Sequence, residues 1–153
     1  MDSSIANLQE ERLLAFYILC VLSVRIIFCD IKTRRIPDVL SACVLLVGLI
    51  NAWISGFVVD SIPVAFIVFI IFFVLWFLKV MGGGDVKLIV AFTVGIAPQF
   101  TLLMLCITGL LGGIQLGIMY LYQQQPFTRG IPYGVPIVIS GLFFSLISIY
   151  AIV

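Results

Sequence analysis

Apolar runs long enough to cross a lipid bilayer take up most of this chain, and they dictate what it can become. A helix needs about 20 apolar residues, within a range of about 17–25, to span a hydrocarbon core of about 30 Å. Such runs are read at residues 13–29, 39–54, 62–78, 86–97, 100–122 and 135–153. Backbone polar groups in lipid must be satisfied internally. The expectation is therefore all-α: a polytopic membrane helix bundle of about six transmembrane helices, forming one integral-membrane unit over residues 1–153. The fourth run is the weak one, because Pro98 follows closely after Gly95. About a dozen residues at about 1.5 Å each cover only about 18 Å. That run reads as a half-span, or as a helix in a thinned or water-filled neighbourhood.

Composition narrows the function. The 153 residues are 63% hydrophobic and 10% charged, with no histidine and a net charge of +1; mean hydropathy is +1.32. Metal and haem sites built on histidine are excluded, as is Ser-His-Asp or Cys-His catalysis, and there is no basic surface for nucleic acid. Cys20, Cys29, Cys43 and Cys106 sit in or at the ends of apolar runs with no C-x-x-C pair. They are expected to be buried thiols acting as small apolar side chains, with neither disulfides nor zinc. The start, Met1-Asp2-Ser3-Ser4 with Glu10 and Glu11 ahead of Arg12, has the wrong sign for a cleavable signal peptide, so the first run is expected to be retained.

Basic residues set the expected orientation. Lys32, Arg34 and Arg35, then Lys79 and Lys87, then Arg129 fall on one side, against Arg12 with Asp2, Glu10, Glu11 and Asp60 on the other. The first group is placed in the cytoplasm and both chain ends outside, with Arg25 snorkelling inward. In the fifth run Gly109, Gly113 and Gly117 recur every fourth residue, a face that admits a close neighbour: another helix of this chain, or a second copy in a homodimer.

Charges near hydrocarbon cost about 2.5–3.5 kcal/mol at mid-span, so each acid needs an account. Asp2, Glu10, Glu11 and Asp60 are read as solvated outside. Asp30, Asp38 and Asp85 fall at the cytoplasmic ends of apolar runs. Asp30 closes the first run, and Asp85 follows Gly82, Gly83 and Gly84 at the start of the fourth. If those two helices pack together, the carboxyl groups converge and share one proton. The ionised member then activates water, and the protonated member donates to a peptide carbonyl and its leaving amine. The glycine run is expected to ease positive-φ backbone and to leave room for an extended substrate strand. Asp38, after Ile36-Pro37, is expected to cap the second helix. Lys32 and Lys87 are expected to anchor to lipid phosphates. A competing reading makes Asp30 and Asp85 a proton or cation relay in a small transporter or channel subunit.

The string DIKTRRIPD (residues 30–38) with GGGDVKL (residues 82–88) resembles the prepilin peptidases, membrane aspartic proteases of the GxGD type. Pro132-Tyr133-Gly134 is similar to the P-[YF]-G of many members. The resemblance implies that Asp30 and Asp85 are the catalytic pair, that Gly82, Gly83, Gly84, Pro132, Tyr133 and Gly134 shape the site, and that no cofactor is needed. It implies cleavage of the leader from type IV prepilins or pseudopilins at the cytoplasmic face of the inner membrane. Larger members carry a zinc-binding insert with C-x-x-C pairs and also methylate the new amino terminus. This chain has no such pairs and looks more like the small peptidases of tight-adherence (Flp) pilus systems; archaeal preflagellin peptidases are close cousins. Prepilin leaders and the surface around Lys32, Arg34 and Arg35 are both basic, so recognition is expected to rest on the precursor's apolar helix packing between spans.

Overall fold

A computed structural model of the protein describes residues 2–122 and 133–151, so Arg129 and Pro132 lie outside the described residues. The elements are α1 (Asp2–Thr33), α2 (Asp38–Ile54), α3 (Val58–Phe77), α4 (Gly83–Gly95), α5 (Pro98–Tyr122) and α6 (Gly134–Ala151), with no strand among the described residues. The chain is an all-helical bundle. By length and composition α1, α3, α5 and α6 can each cross a membrane; α2 is a shorter apolar helix.

Local chemistry explains where the helices stop. No glycine or proline interrupts residues 2–33, so α1 runs past its apolar core and carries Asp30 in its last turns. It ends where Arg34 turns into the left-handed region at φ 52°, its amide donating to the Asp30 carbonyl at 2.9 Å. α3 closes in the same way at Lys79, φ 58°, with the Lys79 amide bonded to Trp76 O and the Val80 amide to Leu75 O. That is a Schellman closure with lysine in the place glycine usually takes, and the left-handed backbone costs an L-residue about 1–2 kcal/mol.

The short fourth run forms the centre of the bundle. α4 has 13 residues, nine of them buried: Asp85, Val86, Leu88, Ile89, Ala91, Phe92, Thr93, Val94 and Gly95. Protein covers most of its surface, because α2, α3 and α6 pack against it. Lipid tails are as apolar as leucine, so close approach and hydrogen bonds have to hold such a helix. At the α2 crossing a Cβ on Gly95 would come within 2.7 Å of Gly48 Cα. Asn51 Nδ2 donates to the Gly95 carbonyl at 3.0 Å, a bond worth about 0.6–1.7 kcal/mol in a membrane bundle. On the α6 side the Phe92 ring lies over Gly141, where a Cβ would approach to 2.6 Å.

Two points of packing left open by the sequence are answered. α1 packs on α2 and α6 and shares no extensive seam with α4, so the first and fourth helices do not pack together; α2 and α6 each touch both. Gly109, Gly113 and Gly117 do not pack against the described residues, since a Cβ on any of them meets none of their atoms within 4 Å. The buried face of α5 is Thr101, Met104, Thr108 and Gly112, and Thr108 hydrogen-bonds Ser140 of α6. α3 buries only Ser61, Ala65 and Val68, turning Phe66, Phe73 and Phe77 outward. The cysteines also differ from expectation: all four are free, but Cys106 is exposed and the other three are only half-buried.

Candidate active site

Asp30 and Asp85 are 3% and 8% exposed, and among the described residues they are the only buried carboxylates. Both lie at the same end of the bundle. That end is built from the close of α1, the 34–37 loop, the start of α4 and the start of α6.

Asp30 is held by α6. The Gly134 amide donates to Asp30 Oδ2 at 2.8 Å. The first amides of a helix have no partner inside it and carry the positive end of the helix dipole. A carboxylate from α1 therefore fills an anion site at the start of α6. Glycine is required there because a Cβ on residue 134 would sit 2.7 Å from Asp30 Oδ2 and 2.9 Å from Cγ. Tyr133, just before it, packs over α5, where a Cβ on Gly112 would come within 2.9 Å of its ring.

Asp85 lies in the first turn of its own helix, with Gly82 at the N-cap position in extended backbone, φ −71° and ψ 143°. Burial drives its carboxyl from 3.8 up to about 7; the Asp30 charge adds to the rise, and the Gly82 amide opposes it. The carboxyl groups are thus near enough for one charge to act on the other, although their helices share no extensive seam.

The glycine run does not carry the positive φ expected of it. Among the described glycines only Gly56 has positive φ, and Gly83 and Gly84 are helical. Their requirement is clearance. A Cβ on Gly82 would stand 2.8 Å from Asp85 Oδ2, one on Gly83 3.1 Å from Trp76 Nε1, and one on Gly84 3.3 Å from Ile36 Cβ. Beside Gly83 and Gly84 a groove of about 390 Å³ opens, with Phe69, Phe73 and Trp76 along its α3 wall.

Asp38 and Lys87 also depart from expectation. Pro37 occupies the N-cap position of α2 with no side-chain cap, and Asp38 is the first residue inside the helix. Its carboxylate accepts from Lys87 Nζ at 2.8 Å, so Lys87 is paired across helices and not given over to lipid phosphate. Ile36, Trp76 and Gly112 were not singled out from sequence, because their importance lies in which glycine or ring each one faces.

The arrangement supplies a carboxylate supported by a backbone amide and a second carboxyl that holds its proton to near neutral pH, which together suit acid–base hydrolysis. Among the described residues no group of three or more Cys, Asp or Glu side chains gathers to hold a metal ion. Residues 15–117, Asp30 and Asp85 included, match the family model described as the type IV leader peptidase family. No curated protein and no solved structure gives a significant match.

Proposed function

The chain belongs to the type IV leader peptidase family, and from that premise we propose that it is a membrane aspartic endopeptidase removing the leader from type IV prepilins or pseudopilins of the Flp kind. The observation that carries the reading is the pair of buried carboxyl groups at one end of the bundle, one bonded to the Gly134 amide and the other raised to about 7. Lys32, Arg34, Arg35, Lys79 and Lys87 accompany them in sequence, which supports a site at the cytoplasmic face of the inner membrane.

In the proposed reaction water attacks the scissile carbonyl while Asp30 takes its proton. Asp85 donates its own proton to the carbonyl oxygen, giving a neutral tetrahedral diol. Asp30 then passes its proton to the leaving nitrogen as the C–N bond breaks, and Asp85 recovers a proton from the diol as the new carboxyl forms. Each aspartate ends as it began, and the pair titrates as a unit. A relay across the membrane is not favoured, because no further buried carboxylate among the described residues continues a path from this end.

The test is processing of a co-expressed pilin precursor by Asp30→Asn and Asp85→Asn, each compared with wild type at matched membrane insertion. Each change should cost about 10²–10⁴-fold, the usual effect of removing an acid–base group. Normal processing by either variant removes that residue from the mechanism.

A further inference from the structure

We propose that Asp38 and Lys87 are positioning residues that lock the segment following Asp30 onto the start of α4 and so set the spacing of the two aspartates. The inference rests on the peptidase reading above. Because α1 and α4 share no extensive seam, the relation between Asp30 and Asp85 is carried by α2 and α6, which touch both helices, and by the segment that leads from Asp30 into α2.

Contacts in the 34–38 stretch provide that connection. The Arg34 amide ties the turn back to the Asp30 carbonyl at 2.9 Å. Ile36 lies against Gly84, next to Asp85 in sequence. Lys87, two residues beyond Asp85 on α4, reaches Asp38 Oδ1 with its Nζ at 2.8 Å. The Ile36–Gly84 contact is apolar and tolerates sliding. The ion pair is directional, and at hydrogen-bond distance it resists both sliding and rotation of α4.

Lys87 and Asp38 are 56% and 73% exposed, so the pair adds little to global stability. Its effect is expected in the geometry of the reacting groups, where displacements well under an ångström count. Breaking the pair leaves the α2 and α6 seams on α4 in place, and near the acids the strained Arg34 turn, φ 52°, and the apolar Ile36–Gly84 contact, neither of which fixes the rotation of α4.

The test compares Asp38→Ala, Lys87→Ala, the double alanine variant, Asp38→Lys, and the exchanged pair Asp38→Lys with Lys87→Asp, all in the full chain. Single alanine variants should lose about two- to five-fold in kcat, the scale of an exposed ion pair, with KM and membrane yield unchanged. The double alanine variant should be no worse than either single, which is the sign of a shared interaction. Asp38→Lys alone should fall further, and the exchange should restore most of the rate. Asp38→Asn, which still accepts a hydrogen bond from Lys87, should be intermediate.

A second readout needs no activity: spin labels at Ile31→Cys and Val80→Cys, with the four native cysteines replaced. The distance distribution should be narrow with the native pair, broad in Asp38→Lys, and narrow again in the exchange. Unchanged distances across the series overturn the inference, as do unchanged kcat values or a loss confined to KM and yield. If wild type cleaves no precursor, the peptidase reading fails while the distances still judge the clamp.

Discussion

Substituting Gly134 with alanine tests the link between backbone and chemistry most directly. Residue 134 has no positive φ, so alanine fits the backbone, and alanine is a better helix former by about 0.8–1.0 kcal/mol in a helix interior. The added methyl is nevertheless in the wrong place. It would lie 2.7 Å from Asp30 Oδ2, 2.9 Å from Cγ and 3.2 Å from Cβ, where ordinary contact begins at 3.4 Å. Rotating the carboxylate cannot relieve the Cβ contact, because that atom is fixed to the α1 backbone. Asp30 and the start of α6 must therefore separate by several tenths of an ångström, and the 2.8 Å bond from the Gly134 amide stretches or breaks. A misplacement of about 1 Å can cost about 10²-fold in rate, so kcat should fall by about 10- to 100-fold. The assay is precursor cleavage by purified protein in detergent or nanodiscs, with thermal unfolding measured in parallel. Gly113→Ala is the control, since a Cβ there meets none of the described residues within 4 Å. Gly134→Ala with a near-native kcat would refute the reasoning, as would a rate loss matched by loss of folded protein.

Two further outcomes follow from Asp85. With its carboxyl near 7, kcat should decline as pH rises through about that value, because the proton donated to the scissile carbonyl is lost; a flat rate from pH 6 to 9 removes Asp85 as the acid. Stability should move in the same window: the folded state keeps a proton that the unfolded chain releases above 3.8, so stability is greatest at low pH, falls between about 4 and 7, and is level above. Asp85→Asn has no such proton to lose and should exceed wild type by up to roughly 4 kcal/mol above pH 7, with the gap closing towards pH 4. An equal gap at both ends of that range in thermal unfolding would contradict the burial argument.

How much of this was legible without coordinates depends on the range of the interaction. The lipid solvent, the helices, and acids at the ends of the first and fourth apolar runs are properties of neighbouring residues, because hydropathy over about 20 positions decides whether a helix can span. The weakness of the fourth run was visible too. Its location at the centre of the bundle was not, since a mostly buried helix and a short lipid-facing one look alike in composition. Gly109, Gly113 and Gly117 form the regular stripe, yet it is Gly112 that belongs to the buried Thr101, Met104, Thr108 face.

Sequence by itself therefore determined the class of molecule and the two acids on which its chemistry is proposed to rest. Tertiary structure decided how they are held. Asp30 takes its amide from a residue 104 positions away, and Asp38 pairs with Lys87 across 49. The glycines preceding Asp85 are needed for clearance and not for positive φ. Such contacts depend on which helix faces meet across the bundle, and that is settled by packing all the helices at once, not by the pattern along any one of them.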